Sequence, residues 1–467
     1  MKTRTWARDS GSIFTTYNYD PNTAELINIL YSDITMTDIS FSYDRLGRQD
    51  SITDALGGRD FDYSTGLQLE TETITGLYNK TITREYDTTT VIGRYEGLNT
   101  GVEYQISYGY DTAGRLNAVS YNSNGTVTGT ATYGYLNNSG LIETLTTTTG
   151  QVSTYGYEPD RNLRTQVWNQ FNGATVSQYD SGYNAAGQRT SVLNVGTAFA
   201  ATAFNRFDYN DRSELKEFSR YLGNNIYDIT QPVQSEYRHY EYDPIGNRSG
   251  ITEASNNGSY ISNNLNQYTT ETPPGGGSNT YVHDEDGNLT SIAGNRNVTY
   301  TYNAENRLIA AQPTAPSTGD KKVEFLYDYQ GRRVQKIISS WNGSWTVDTT
   351  KHFVYDGWNV IQEITTAQPT KYYVWGLDLS QSMQGAGGVG GLLTVIEGTS
   401  SWNYLYDGNG NVGQMLNSST GAIEAHYEYD PYGNEIQATG AVASSNPYRF
   451  STKYLDDEFN LYYYGYR

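Results

Sequence analysis

The sequence predicts an all-β protein made of repeated, mostly antiparallel β-hairpins, with almost no helix. Three features lead to this prediction: a turn motif that recurs along the chain, strand-like alternation between its copies, and a very high tyrosine content. The motif is Tyr-Asp-x-x-Gly followed by Arg or Asn, and most copies are roughly 20–30 residues apart, a spacing at which one supersecondary unit is stacked many times. Clear copies begin at Tyr43, Tyr110, Tyr242, Tyr327 and Tyr429, and altered copies begin at Tyr183 and Tyr302.

Each position of the motif suits a tight turn between two strands. An aspartate such as Asp44 accepts hydrogen bonds from backbone amides two residues further on. The glycine, for example Gly246 or Gly331, takes the left-handed conformation that closes a type I turn with a bulge. The tyrosine ends the outgoing strand, and the Arg or Asn begins the return strand. We therefore interpret the motif aspartates as turn formers rather than as catalytic or metal-binding residues.

The segments between the turns read as strands. Residues 299–302, 371–375 and 426–429 combine aromatic, β-branched and polar side chains and show little helical periodicity. Residues 211–222 have apolar side chains at helical spacing, but their position inside the repeat favours a strand. Three breaks rich in Gly or Pro are predicted to be hairpin loops rather than domain linkers, because the repeat resumes after each. They are residues 272–279, 313–320 and 384–391.

The composition argues against a thick apolar core. The chain has 467 residues, of which 45 are Tyr and only 12 are Phe, and the hydrophobic fraction is 36% with tyrosine included. Tyrosine has a large apolar ring with a polar end, which suits a sheet whose faces are only partly dry. A single-layer sheet, curved and wet on at least one side, fits this composition better than a solid globule.

Charge and hydropathy exclude other classes of protein. The net charge of −20 argues against nucleic-acid binding, which needs clustered Lys and Arg. The chain has no cysteine, which excludes disulfides and suits an exported protein. Apolar runs are too short to span a bilayer. Because no apolar stretch follows Met1, we interpret the chain as an excised piece whose targeting segment lies upstream.

Two motif matches suggest ligands, but only weakly. Residues 385–390 fit the dinucleotide pattern G-x-G-x-x-G, yet residues 392–397 read as a strand and not as the helix such a site requires. The turns at Asp284 and Asp407 have calcium-like oxygen spacing. Asn295 and Ser418 stand where an EF-hand has its glutamate, so only weak calcium binding is left open at these two turns.

No residue is assigned to catalysis, cofactor binding or metal binding. Residues 456–458 are interpreted as an acidic turn, and abundant carboxylates leave a glycosidase pair open without singling one out. The histidines are too far apart in sequence to form a ligand pair at helical or strand spacing, and we interpret them as strand residues. They are His239, His283, His352 and His426.

The repeats and about the last forty residues resemble the bacterial Rhs/YD-repeat proteins. Residues 430–434, 446–454 and 461–467 resemble the Rhs repeat-associated core. Residues 375–380 together with 384–393 form another family-like block. The resemblance divides the chain into a YD-repeat region, residues 1–429, and a core segment, residues 430–467, continuous with it.

The resemblance implies that the hairpin ribbon spirals into a hollow shell or large barrel. A flat solenoid without a cavity is the main alternative. In toxin-linked members of the family the shell encloses a C-terminal polypeptide, often freed by an aspartate-dependent self-cleavage. This sequence stops at Arg467, before the segment where the cleavage aspartates and the variable toxin domain would follow. No catalytic residue of the family can therefore be assigned to a position in this chain.

The sequence thus predicts a non-enzymatic scaffold of a secreted or cell-surface bacterial protein that encapsulates or shields a partner polypeptide or toxin. The alternative is an adhesion module that binds glycans or cell-surface proteins, with Trp341, Trp345 and Trp358 as candidates for stacking on sugars. An enzyme acting on polysaccharide ranks third. No cofactor is expected. Open ribbon ends predict weak end-to-end self-association.

Overall fold

The structure, a computed structural model, describes residues 2–465, and it confirms the predicted all-β architecture. One continuous sheet contains 37 strands, and each strand pairs antiparallel with the next along the chain. A separate hairpin of β38 and β39 lies near the C-terminus. Helix among the described residues is limited to three short 3-10 segments, at Arg8–Gly11, Gln234–Glu236 and Phe450–Thr452.

The first 23 strands form what we call the first wind of the ribbon. They are β1 (Thr3–Thr5), β2 (Phe14–Tyr19), β3 (Leu26–Tyr31), β4 (Ile39–Tyr43), β5 (Gln49–Asp54), β6 (Gly57–Tyr63), β7 (Leu69–Gly76), β8 (Lys80–Tyr86), β9 (Tyr95–Asn99), β10 (Gln105–Tyr110), β11 (Leu116–Ser123), β12 (Val127–Tyr135), β13 (Ile142–Thr147), β14 (Gln151–Tyr157), β15 (Arg164–Phe171), β16 (Ala174–Tyr183), β17 (Arg189–Val195), β18 (Ala203–Tyr209), β19 (Leu215–Leu222), β20 (Arg238–Tyr242), β21 (Arg248–Glu253), β22 (Asn256–Ser262) and β23 (Tyr268–Thr272).

The remaining strands form the second wind and the closing segment, the latter defined as residues 440–465. The second wind contains β24 (Asn279–His283), β25 (Leu289–Gly294), β26 (Val298–Tyr302), β27 (Leu308–Pro313), β28 (Lys321–Tyr327), β29 (Arg333–Trp341), β30 (Trp345–Asp356), β31 (Asn359–Thr365), β32 (Lys371–Trp375), β33 (Leu392–Glu397), β34 (Ser400–Tyr406), β35 (Val412–Asn417), β36 (Ile423–Tyr429) and β37 (Glu435–Thr439). The closing segment contains β38 (Tyr454–Asp456) and β39 (Leu461–Tyr463).

The motif turns have the predicted geometry. Asp44 Oδ1 accepts hydrogen bonds from the amides of Leu46, at 2.8 Å, and Arg48, at 3.0 Å. Gly47 has a φ of 76° and donates its amide to the Asp44 carbonyl. The strand register shifts between Ser42 and Tyr43, which places the predicted bulge at the motif. Gly246 and Gly331 are likewise left-handed, as predicted.

The other predictions of local structure are also confirmed. Within residues 211–222, the part from Leu215 onward is strand β19. The three Gly- and Pro-rich breaks each connect two paired strands. The glycine-rich residues 385–390 form a loop that precedes strand β33, with no helix. All four histidines lie in strands.

The burial pattern differs between the two winds. In the first wind, strands such as β6 and β8 alternate between buried and more exposed residues, as expected for a sheet with one wet face. Late in the second wind, β31, β33 and β35 are buried almost continuously. The closing segment covers one face of this part of the sheet, where Tyr448 packs on Tyr373 of β32. The first wind contacts the other face, where Val176 clusters with Leu405 of β34 and Leu416 of β35. The thin core expected from composition therefore does not describe the part of the molecule where the late second wind packs on the first, because residues of both winds share one large buried cluster.

Candidate functional site

The motif tyrosines couple neighbouring hairpins along one edge of the ribbon, which we call the tyrosine rim. The Tyr43 hydroxyl donates to the Leu26 carbonyl at 2.8 Å. The acceptor is the first residue of the preceding return strand, and this relationship recurs along both winds. The further pairs are Tyr63–Gln49, Tyr86–Leu69, Tyr110–Tyr95, Tyr135–Leu116, Tyr157–Ile142, Tyr183–Arg164, Tyr209–Arg189, Tyr242–Leu215, Tyr327–Leu308, Tyr355–Arg333, Tyr406–Leu392 and Tyr429–Val412.

The motif arginines strengthen the same coupling. Arg48 Nε donates to Asp44 Oδ2 at 2.7 Å, and the Arg48 guanidinium lies 4.0 Å from the centre of the Tyr63 ring in the next repeat. Arg115 joins its own aspartate to Tyr135 in the same way, at 4.1 Å. Each of these two arginines thus binds its own turn through an ion pair and the next tyrosine through a cation–π contact. Sequence reasoning identified the turn but not this link between repeats.

Buried ion pairs form a seam where the second wind meets the first. Arg59 of the first wind contacts Asp328 of the second at 3.1 Å and also pairs with Glu72. Arg84 contacts Asp356 at 2.9 Å and Glu72 at 3.2 Å. Burial alone would lower the pKa of Arg84, but Asp356 and Glu72 raise it, so its guanidinium stays charged. The seam therefore depends on contacts between residues far apart in sequence.

The start of the chain extends this seam. The Ala7 amide donates to Asp286 Oδ1 at 2.8 Å, and Arg8 lies 3.5 Å from Asp286 Oδ2. Arg8 also donates to the Asn303 carbonyl. These early turns of the second wind thus dock against loops on the opposite edge of the first wind, which we call the far rim. The ribbon has therefore turned back on itself after the first wind.

A buried ionic cluster holds the closing segment on the second wind. Asp456 contacts Arg333 at 2.5 Å and Lys336 at 2.8 Å, and Glu458 contacts Lys336 at 2.7 Å. The side chains of Arg333 and Lys336 are each only 2% exposed. Residues 456–458 lead into a turn, as the sequence predicted, but the sequence analysis did not predict this ionic cluster. Its basic partners lie more than 100 residues upstream, so no local sequence signal pointed to it.

A cavity of about 290 Å³ lies between the closing segment and the second wind. Its walls include the rings of Phe353, Trp358, Trp375 and Tyr448. Trp358 is therefore part of a cavity wall rather than of an open surface. Trp341 and Trp345, the other two residues considered for sugar stacking, are half-buried and pack edge-to-face at 5.1 Å.

The remaining predicted candidates take part in local turns. Asp407 Oδ1 accepts hydrogen bonds from the amides of Asn409 and Asn411. Asp284 does the same within its own turn and lies 3.8 Å from Arg8. Among residues 2–465, no group of three or more His, Asp or Glu side chains is arranged to hold a metal ion. Over the same residues, no helix has the length and apolar character needed to cross a membrane.

Comparison with known proteins identifies a shared fold. No protein-family model and no curated protein matches the chain. Among solved structures, TcdB2-TccC3-TEV superposes with a TM-score of 0.52 over 100% of this chain, TcdB2-TccC3-Cdc42 with 0.53 over 97%, and TcdB2-TccC3 with 0.51 over 100%. The sequence identity is 15% in each case, so the likeness concerns the fold. This chain spans 28%, 28% and 29% of those chains, respectively.

Proposed function

We propose that this chain is a non-enzymatic scaffold of the Rhs/YD-repeat type, whose spiral ribbon encloses or shields a partner polypeptide. The observation that carries the proposal is the buried seam between Arg59 and Asp328, which are 269 positions apart. A sheet that only stacked in a line would leave these residues far from each other. A ribbon that meets itself through buried ion pairs has turned back on itself, which supports the proposal of an enclosed space.

The number of strands in one wind supports an interior that side chains alone do not fill. Roughly 22 strands at about 4.8 Å spacing give a perimeter of about 105 Å and a diameter of about 34 Å. Two sheets whose side chains interdigitate lie only about 10 Å apart. Walls this far apart leave room for a polypeptide, except where the late second wind packs against the first wind and against the closing segment.

The fold likeness and the sequence resemblance support the same proposal from two directions. The solved chains of similar fold are TcdB2-TccC3 assemblies, and the Rhs/YD-repeat family includes shells that enclose a C-terminal toxin. The partner of this chain is accordingly a polypeptide that follows the closing segment, and the protein is exported, either secreted or held at the bacterial cell surface. In this proposal the chain holds the partner polypeptide and does not catalyse a reaction.

Protease protection of a reporter tests the proposal. An unstructured reporter with several trypsin sites is joined to the C-terminus, and the matched control carries the same reporter at the N-terminus. We expect the C-terminal reporter to be cleaved much more slowly. Opening the seam with Arg59→Met should restore cleavage while the N-terminal control stays unchanged. Equal cleavage of the two reporters in the unaltered scaffold would refute encapsulation.

Glycan binding is the competing proposal, and the tryptophans do not favour it. Trp341 and Trp345 are half-buried and pack edge-to-face on each other at 5.1 Å, which leaves less ring surface for a sugar than a fully exposed ring would offer. A glycan array decides between the two: specific binding that is lost in Trp345→Ala would replace the scaffold proposal with an adhesion module.

A further inference from the structure

Neighbouring strands of the first wind share one face that the second wind covers. The register places Tyr179 of β16 opposite Asn194 of β17, and Val192 of β17 opposite Asn205 of β18. Residues that stand opposite each other, or two apart along a strand, lie on the same face of a sheet. Gln414 of the second wind donates to the Tyr179 hydroxyl at 3.1 Å. The amides of both asparagines therefore lie on the side that meets the second wind.

A cavity of about 100 Å³ lies between this face and two turns of the second wind, and we call it the inter-wind cavity. Its walls include parts of residues 407–411 and 427–431 and the rings of Phe207 and Phe218, whose centres are 5.5 Å apart. Asn409, in the first of these turns, is exposed, so the cavity lies within reach of solvent. Its volume is several times the minimum of about 10–15 Å³ that one water molecule needs, so it holds several waters or one small ligand.

Three buried polar atoms at the inter-wind cavity have no hydrogen-bond partner within residues 2–465. They are Asn194 Oδ1, Asn205 Oδ1 and Arg189 Nε. Asn194 is only 5% exposed, and a buried amide oxygen without a partner destabilises the folded state. Because three such atoms meet at one cavity, they indicate a partner that comes from outside the chain.

A neighbouring amide on the same face shows that the two winds can satisfy such groups themselves. Asn169 of β15 stands opposite Ser177 and is 1% exposed. Its Oδ1 accepts the Ser153 hydroxyl at 2.7 Å, and its Nδ2 donates to the Ser177 hydroxyl at 3.0 Å and to the Tyr406 carbonyl of the second wind at 3.1 Å. Every polar atom of this side chain is therefore engaged. The unpaired atoms are a property of the inter-wind cavity and not of the whole face.

We propose that the inter-wind cavity binds a sugar. The oxygens of Asn194 and Asn205 require hydrogen-bond donors, whereas Arg189 Nε requires an acceptor. A hydroxyl group supplies both, so a hydroxyl-rich ligand satisfies all three atoms at once. The rings of Phe207 and Phe218 offer apolar surface for the carbon–hydrogen face of a sugar ring, and this mixture of a few polar groups with aromatic walls is typical of small-ligand sites.

The charges at the inter-wind cavity favour an uncharged ligand. Arg189 and Arg220 stand against three carboxylates, those of Asp407, Glu428 and Asp430. Arg220 is already paired with Glu428. An anionic ligand would meet the three carboxylates, and a cationic ligand would meet the Arg189 guanidinium. A neutral sugar avoids both, and its binding is compatible with a scaffold that encloses a polypeptide.

Saturation-transfer NMR on the purified chain tests the proposal. The probes are glucose, galactose, mannose and N-acetylglucosamine, each as a single sugar and as short oligomers. The double variant Asn194→Leu and Asn205→Leu removes both unpaired amides with little change of volume. Asn256→Leu is the matched control, because Asn256 is exposed in β22 and is not among the residues that line the cavity. Melting temperatures are measured for all variants and for Asn169→Leu.

We expect saturation transfer to at least one of these sugars, and binding at least about tenfold weaker in the double variant. The control should bind like the unaltered chain. The double variant should melt no lower than the unaltered chain, because apolar groups replace unpaired amides. Asn169→Leu should melt lower, since it loses three hydrogen bonds. Transfer to single sugars would identify a free sugar as the ligand, and transfer to oligomers alone would identify a glycan chain; either result supports the site.

Several outcomes would overturn the proposal. One is no saturation transfer from any probe at about 20 mM, which would mean that the cavity holds water only. Another is a double variant that binds as well as the unaltered chain, or a control that loses binding equally. Binding that is lost in Trp345→Ala and kept in the double variant would assign it to a different site. A double variant that melts as low as Asn169→Leu would show that the two amides are paired within the fold.

Discussion

Arg59 and Asp328 lie 3.1 Å apart across the seam, with side-chain exposures of 2% and 0%. The pair joins the edge of the first wind to a motif turn of the second. Asp328 also binds Arg332 within its own turn, at 2.7 Å. The Asp328 carboxylate therefore stabilises both its own hairpin turn and the contact between the two winds. A residue of the repeat motif thus also helps to fix how the ribbon turns back on itself.

Removing the seam guanidinium should destabilise the protein strongly. Arg59→Met leaves Glu72 and Asp328 buried with fewer positive partners, and breaking a buried pair on one side costs about 3–5 kcal/mol. Urea unfolding followed by tyrosine and tryptophan fluorescence measures the loss. Lys216→Met is the control, because the Lys216–Asp208 pair is exposed, and such pairs contribute about 0–1 kcal/mol. Equal effects of the two substitutions would contradict a buried ionic seam.

The left-handed turn glycines should resist substitution. Gly246 has a φ of 93°, and Gly246→Val should cost about 1–3 kcal/mol through backbone strain. Gly331→Val should cost at least as much, because an added Cβ would also meet the Arg307 guanidinium. Gly140, which has open space around an added Cβ and no left-handed φ, is the matched control. A melting temperature unchanged by Gly246→Val would show that the turn assignment is wrong.

The tyrosine hydroxyls should contribute to stability repeat by repeat. Tyr63→Phe removes the hydroxyl that donates to the Gln49 carbonyl, and the loss should be about 0.5–1.5 kcal/mol. Tyr183→Phe acts in a distant hairpin, so the double variant should show additive losses. Tyr227→Phe, at a side chain that is 84% exposed, should have no measurable effect. Hydrogen exchange should weaken most in the hairpins next to the altered tyrosine.

The sequence predicted the local structure of each hairpin, which a single repeat determines. It did not predict the contacts between repeats or between the two winds. The motif at Asp44 contains its own turn chemistry, so the turn, the bulge and the strand ends could be derived from local rules. The bond from Tyr63 to Gln49 depends on how one hairpin twists against the previous one, which no local rule supplies. The Arg59–Asp328 and Arg333–Asp456 pairs depend on the curvature of the whole ribbon. Sequence spacing therefore gave no sign of them.

Acid should loosen the turns before it affects the apolar core. Hydrogen bonds from the amide and guanidinium of Arg115 hold the pKa of Asp111 below its usual value. Desolvation raises the pKa of Asp44 and Asp243, but the turn hydrogen bonds outweigh it and lower the pKa overall. Because these folded-state values lie below the unfolded value of about 4, the stabilisation is complete above about pH 4. It is lost as the pH falls through the folded-state values.

Melting temperatures at several pH values check this dependence. We expect little change between about pH 7 and about pH 5 and a steep fall below about pH 4. The triple variant Asp44→Asn, Asp111→Asn and Asp243→Asn should fall less steeply. Asn already occupies this position at Asn184 and Asn303, where its side chain accepts the same amide hydrogen bonds. Identical slopes for the variant and the unaltered chain would assign the acid sensitivity to other carboxylates.

The overall dimensions give the most direct test of a hollow interior. A wind about 34 Å across places its wall about 17 Å from the axis. Small-angle scattering of the monomeric protein should therefore give a distance distribution with a hollow profile. A solid-sphere profile would mean that the second wind and the closing segment fill the interior, which leaves no space for an enclosed polypeptide.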